Sequence, residues 1–417
     1  MKYLNICENM KNTTIIILAA LALPALLFSC VGEKNPDKTA DGCMSIDASG
    51  KGEKIKLSDI IDTIEYIPLE TNENCLIGRI DKVIGMGDTV AVLDDRIGRA
   101  LYLFGRDGRF IRKIGQQGEG PQEYIHLFDM TYDRATDRIF LLDLGGNKIL
   151  VFNSDNEFIK SIDIEDTYAN GIEYLGEEKM ALYLNYGRKN FEKDGRTPLL
   201  MIYDMENNRR DGLYVWHDSY IDPTMIINTR IVFDKQADGS VLFATSHIDT
   251  VYRITRDEVS PVYAIRFDKE HYKNKADYNS FVKSKRPDTV TGLERRKKNP
   301  FYYTTMCGTD DFVLLSATVV DKNSRYIAID KNTGHVKLST KAGKGRRIIE
   351  NDMDIFANFG RVGADSRYIY SDTDPAIFKF LTEKYINKYN KPMVEHYKDR
   401  KSEDSNPVIV AFRTKGF

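Results

Sequence analysis

A single tryptophan, five cysteines and six histidines among 417 residues leave little of the material from which recognisable active sites are made. The histidines, His126, His217, His247, His271, His335 and His396, are scattered, and none belongs to an H-E-x-x-H pair. No Walker-type glycine loop and no G-x-S-x-G occurs either, so the common metalloprotease, nucleotide-binding and hydrolase signatures are excluded. Without a Cys-x-x-Cys, a zinc or thioredoxin-type site has no footing, and no cofactor is expected. Charge of one sign is also missing: 60 basic residues stand against 62 acidic ones, a net charge of −2. Nucleic acid needs a net basic face, so it is not an expected partner. The chain is nonetheless 42% hydrophobic, ample for a folded core, which excludes general disorder.

One long apolar run is present. Lys11 precedes Ile15 to Phe28, followed by Ser29 and Cys30. The run is shorter than the roughly 20 residues a spanning helix needs, and has the length of a signal-peptide apolar region. Leu27-Phe28-Ser29-Cys30 resembles a bacterial lipoprotein signal, in which the cysteine becomes the lipidated N-terminus. The expectation is a signal over 1–29, lipidation at Cys30, a membrane partner through that lipid, and a flexible polar tether over 30–56. Cys43 falls in the tether, which leaves Cys75 and Cys307 in the folded part, too few for a disulfide framework.

From Val83 to Ile164 the sequence repeats. Asp107, Phe110 and Ile114 recur 48 residues later as Asp155, Phe158 and Ile162, and Val90–Asp94 answers Ile139–Asp143 at 49. Strand-sized apolar runs alternate with polar turns, Asp107-Gly108 and Asp155-Asn156, whose residues tolerate φ > 0. Such a period made of short strands indicates a β-propeller blade. Weaker copies follow at Leu199–Asp204, Thr250–Ile254, Arg325–Asp330 and Arg367–Asp372. The predicted fold is therefore all-β, a six-bladed propeller over 57–417. A helical insertion is expected about 268–299 between blades four and five, and a helix over 378–397 within blade six. The isolated strand at Thr63–Glu70 has no blade of its own, and is expected to close blade six beside 407–413.

Lys113-Ile-Gly-Gln-Gln-Gly118-Glu-Gly120-Pro121-Gln-Glu123-Tyr124 looks like the G-x-G-P-x-E-[FY] element that opens NHL-type blades. Together with Ile67-Pro-Leu-Glu70, Asn351-Asp352-x-Asp354 and Asn406-Pro-Val408, it resembles the six-bladed propeller lipoproteins of Bacteroidetes, many filed as domains of unknown function. That resemblance implies the fold and an outer-membrane envelope location, periplasmic or surface-facing, and implies no reaction. The element itself needs no ligand: its glycines permit positive φ, Pro121 fixes the turn, and Tyr124 suits an anchor between blades. Asp94 and Asp143 recur at the ends of second strands, where a carboxylate can accept backbone N–H bonds and fix a turn.

A propeller gathers loops from every blade around one axis and so makes a concave site without a local motif. The expected function is a non-catalytic ligand-binding or scaffolding module, its ligand a glycan, a peptide or an envelope protein. Five residues at or beside the starts of inner strands are the candidates for a channel mouth: Arg79, Tyr124, His126, Arg230 and Tyr302. The competing expectation is a hydrolase or lyase on glycans or peptides, with an axial metal held by three or more converging His, Asp or Glu side chains. The basic runs Lys283–Arg286 and Arg295–Lys298 suit a solvated face, or a lid or docking surface over one end of the ring that meets an acidic partner or an anionic glycan.

Overall fold

The computed structural model describes residues 42–48, 50–164, 167, 169–184, 191–218, 231–245, 248–266, 302–319, 323–339, 349–350, 352–353, 361–376 and 405–417. The chain first forms β1 (Met44–Asp47), β2 (Ile55–Lys56), the single-turn helix α1 (Leu57–Ile60) and β3 (Ile61–Pro68). Blade one then follows as β4 (Lys82–Gly85), β5 (Thr89–Asp94), β6 (Ala100–Gly105) and β7 (Phe110–Ile114). Blade two is β8 (Leu127–Asp133), β9 (Arg138–Asp143), β10 (Lys148–Phe152) and β11 (Phe158–Asp163). Blade three is β12 (Gly171–Gly176), β13 (Lys179–Tyr183), β14 (Arg196–Asp204) and β15 (Arg209–Asp218). Blade four is β16 (Phe233–Lys235), β17 (Val241–Phe243), β18 (Thr250–Ile254) and β19 (Val259–Arg266). Blade five is β20 (Tyr302–Gly308), β21 (Phe312–Val319), β22 (Asn323–Asp330) and β23 (Val336–Leu338). After β24 (Ile349–Glu350), blade six is β25 (Arg361–Ala364), β26 (Tyr368–Thr373) and β27 (Val408–Thr414), completed by β3.

Each strand alternates its apolar side chains between two faces, and each face belongs to a different core. In β5, Val90 and Val92 point into the cluster shared with blade six, whereas Ala91 and Leu93 point into the cluster shared with blade two. In β27, Val410 and Phe412 face blade five while Ile409 and Ala411 face blade one. Among the described residues the buried apolar side chains divide into six clusters, one for each junction between successive blades. A sheet that is apolar on both faces must be covered on both, and stacking in a circle does this without a terminal blade. The first strands close that circle at the axis, each beside the next: β4, β8, β12, β16, β20, β25 and back to β4.

The ring is fastened by the two ends of the chain, as expected from the sequence. β27 pairs antiparallel with β3, Val410 opposite Tyr66 and Phe412 opposite Ile64. Two glycines let the last blade approach the first. A Cβ on Gly363 of β25 would lie 2.0 Å from the Val83 carbonyl oxygen, and one on Gly108 (φ 83°) 2.0 Å from that of Pro68. The repeated turns take the expected left-handed backbone, with Asn156 at φ 67° matching Gly108.

The tether expectation needs correction over 42–56. β1 adds parallel to β19 as a fifth strand of blade four, with Ile46 3% exposed, and β2 pairs with β24. The buried Arg325 guanidinium donates to the Ala48 carbonyl at 2.9 Å, so the segment is bound to blade five as well. Alternation of Met44 and Ile46 with Ser45 and Asp47 is enough to make one half-buried strand on an otherwise open edge. Cys43 is buried rather than part of a solvated leash. The expected signal peptide with Cys30, the insertion at 268–299 and the helix over 378–397 lie outside the described residues.

Phe412 is fully buried at the closure, so Phe412→Ala is expected to cost about 3–5 kcal/mol in chemical denaturation. Arg413 is half exposed and 4.0 Å from Asp62, and Arg413→Ala is expected to cost less than about 1 kcal/mol. A chain beginning at Ile55 lacks β1 and the acceptor for Arg325, and is expected to be about 2–4 kcal/mol less stable than one beginning at Gly42. Equal denaturation midpoints for those two chains would show that β1 does not hold the ring.

Candidate functional site

Around the axis the inner strands of blades one to five are linked by polar and charged side chains. Lys82 of β4 donates from Nζ to Asp129 Oδ1 and to the Met130 carbonyl of β8, both at 2.7 Å. The other oxygen of Asp129 accepts the Ile172 N–H of β12 at 2.9 Å. Thr131 Oγ1 donates to Glu173 Oε1 at 2.5 Å, and Lys235 of β16 reaches back to the Tyr174 carbonyl at 3.0 Å and to Glu173 at 3.7 Å. Asp234 accepts the Gly308 N–H of β20 at 2.8 Å. A buried charge is tolerable only when paired and hydrogen-bonded, and Lys82 and Asp129, each under 10% exposed, meet that condition in one another.

At one end this belt opens into a cavity of about 520 Å³, lined from blades one, two, three, four and six. It lies where the inner strands end and turn into second strands, the trailing mouth: Gly85 and Gly87, Asp133–Ala135, Gln236–Gly239 and Asp365–Tyr368 form its rim. Between blades six and one the rim is tied by Arg106, which donates to Glu65 of β3 at 2.7 Å, to the Tyr370 hydroxyl at 3.2 Å and to the Gly87 carbonyl at 2.8 Å. Its guanidinium also lies 4.6 Å over the Tyr368 ring. Burial works against the charge on Arg106, but Tyr370, Glu65 and Tyr368 outweigh it and its pKa rises. Tyr370, buried and donating to Asp365 at 2.6 Å, is pushed well above the usual phenol range.

Of the candidates from the sequence, Arg79 and His126 stand just before β4 and β8, at the opposite, leading mouth, and neither lines the cavity. Arg79 is exposed, with its guanidinium 2.9 Å from Asp81. His126 is exposed, edge-on to Phe128. Tyr124 is a correction: it is 2% exposed between blades one and two, its hydroxyl donating to the Arg99 carbonyl at 3.2 Å, and serves as the inter-blade anchor. Tyr302 opens β20 opposite Val319, with its side chain outside the described residues, and Arg230 lies outside them altogether. Asp94 and Asp143 hold the leading loops as expected. Asp94 accepts the N–H groups of Gly78 and Arg79 at 2.8 and 3.1 Å, and Asp143 those of Ile125 and His126 at 3.1 and 2.8 Å. Among the described residues no group of three or more His, Cys, Asp or Glu side chains is placed to hold a metal ion.

The sequence profile of the domain of unknown function DUF4934 matches residues 44–413. The chain belongs to that family. Its matched range begins at β1, so the family domain includes the strand that the tether expectation left out. No curated protein matches this DUF4934 chain. Among solved structures, a Bacteroides fragilis protein described as exported is 17% identical, covering 89% of this chain and 99% of its own, with a TM-score of 0.68. A DUF4221 family member from Bacteroides vulgatus is 10% identical over 85% of this chain and 97% of its own, with a TM-score of 0.47. Virginiamycin B lyase from Staphylococcus aureus is 10% identical over 74% and 80%, with a TM-score of 0.38. The first of these likenesses shows the shared fold.

Burial raises Tyr66 and Tyr102 to about 12, and Tyr132 to about 12 with Asp137 adding to it. An unfolded tyrosine ionises near 10, so the folded state holds these protons more tightly. The resulting stability is complete below about pH 10 and is lost as pH rises through about 12. The urea midpoint is expected to fall steadily over that window, with phenolate absorbance from these groups appearing only on unfolding.

Proposed function

We propose that this DUF4934 chain is a lipid-anchored cell-envelope protein whose propeller is a non-catalytic binding or scaffolding module, with its ligand seated in the trailing mouth. The carrying observation is the 520 Å³ cavity on the ring axis, the size of a small-molecule or short-oligomer site. Its floor is the paired Lys82–Asp129 and Glu173–Lys235 belt, which spends those charges on holding blades together. The rim is contributed by turns between strands, the part of a propeller that can vary without disturbing the inter-blade cores. The envelope location is supported by the signal-like run ending at Cys30 and by the exported description of the Bacteroides fragilis neighbour. A glycan, a peptide or an envelope protein segment would fit a polar, concave mouth of this kind.

The test is a glycan and peptide binding screen with the full-length chain, followed by two variants of any hit. Ala135 is exposed on the trailing rim, and Ala135→Trp is expected to weaken binding at least about tenfold by filling the mouth. His126→Ala, at the leading mouth, is expected to leave it unchanged. Loss of binding on His126→Ala with none on Ala135→Trp would place the ligand at the wrong end of the channel and overturn the proposal.

A further inference from the structure

The charges of the trailing mouth do not all have partners. Lys82 is committed to Asp129, Arg106 to Glu65 and Lys235 to Glu173. Two guanidinium groups remain, Arg134 in the turn after β8 and Arg367 in the turn after β25, both exposed and without an ion pair among the described residues. They stand on either side of blade one. Arg134 leans across onto it, its Nη2 2.6 Å from where a Gly87 side chain would begin. Arg134 and Arg367 each present five N–H donors in a planar fork, a geometry that suits a carboxylate.

The acidic groups of the same rim are satisfied differently. Asp133 accepts from the Thr136 hydroxyl at 2.5 Å, and Asp365 from the Tyr370 hydroxyl and from the Arg367 and Tyr368 N–H groups. Asp238 accepts from Ser240 and pairs with Arg253. A carboxylate has about four lone-pair sites, so these residues keep capacity for further donors such as hydroxyls. They would also repel a ligand carrying a dense row of negative charge. The Tyr368 ring at this rim already carries Arg106 and lies stacked on Tyr370 with centroids 6.1 Å apart.

From these placements we infer that the trailing mouth takes a sparsely charged acidic oligosaccharide, with two uronic-acid carboxylates held by Arg134 and Arg367 and with hydroxyls that donate to the rim aspartates. This rests on the reading of the trailing mouth as the binding site. A neutral glycan would leave both guanidinium groups unanswered. An acidic peptide would answer them but set its remaining charges against Asp133, Asp238 and Asp365.

Calorimetric titration of the full-length chain with three probes tests the assignment: a trisaccharide carrying two uronic acids, its neutral methyl ester and a tetraglutamate peptide. The acid is expected to bind, with the ester and the peptide each at least about tenfold weaker. The double variant Arg134→Gln, Arg367→Gln is expected to lose about tenfold or more for the acid and to leave the ester unchanged, with an unchanged thermal midpoint because both side chains are exposed. Equal affinity for acid and ester, abolished by Ala135→Trp, would overturn the acidic-sugar assignment and leave the mouth as a site. Tighter binding of tetraglutamate would replace the sugar with an acidic peptide. Binding of the acid that ignores both Ala135→Trp and the arginine variant would overturn the site itself, and absence of binding by all three probes would overturn the inference.

Discussion

Val410 and Phe412 lie in one hydrophobic core and Ile409 and Ala411 in the next, although the four residues are consecutive on a single strand. That division recurs in every blade, and it is the constraint on which the rest of the molecule depends. At roughly 25 cal/mol per Å² of buried apolar surface, a sheet covered on only one face forfeits half its stabilisation. Every blade therefore needs two neighbours, and six can have them only if the last meets the first. β3 and β27 make that meeting a matter of main-chain hydrogen bonds rather than of side-chain packing alone. Arg106, joining Glu65 to the turn of blade one, repeats the connection at the mouth.

Closure has a consequence at the axis. Six inner strands converging on one line cannot all present large apolar side chains there, and the space between them is bridged by Lys82, Asp129, Thr131, Glu173, Asp234 and Lys235. Lys82, Asp129, Asp234 and Lys235 link neighbouring blades through backbone N–H and carbonyl groups on the inner strands, and Thr131 joins Glu173 side chain to side chain. The site above them has a rigid floor and a rim of turns. Such a rim can change in sequence without changing the ring.

Much of the fold was legible because its signals are local and repeated. Asp107/Asp155 and Phe110/Phe158 mark the third-to-fourth-strand turns, and the orphan strand near Tyr66 has one vacancy to fill. β1 was not legible. Its four residues carry only the alternation of Met44 and Ile46, and pairing with β19 some 220 residues away is a tertiary choice that no local pattern encodes. The site was not legible in the same way. Arg79 and His126 were singled out because they precede inner strands, whereas the rim of the cavity is formed by the turns that follow them. The signal that would have found it is the pair of charged turns Asp133-Arg134-Ala135 and Asp365-Ser366-Arg367, each following an inner strand and each exposing an arginine.

Native-state hydrogen exchange across the closure tests the central claim most directly. If the two ends of the chain fasten the ring, the β3 amides from Ile61 to Ile67 exchange as slowly as those of β27 from Val408 to Thr414, and both only through global unfolding. Exchange of the β3 amides orders of magnitude faster than those of β27, with the other blades still protected, would show that the circle stands without its fastening and would contradict the account.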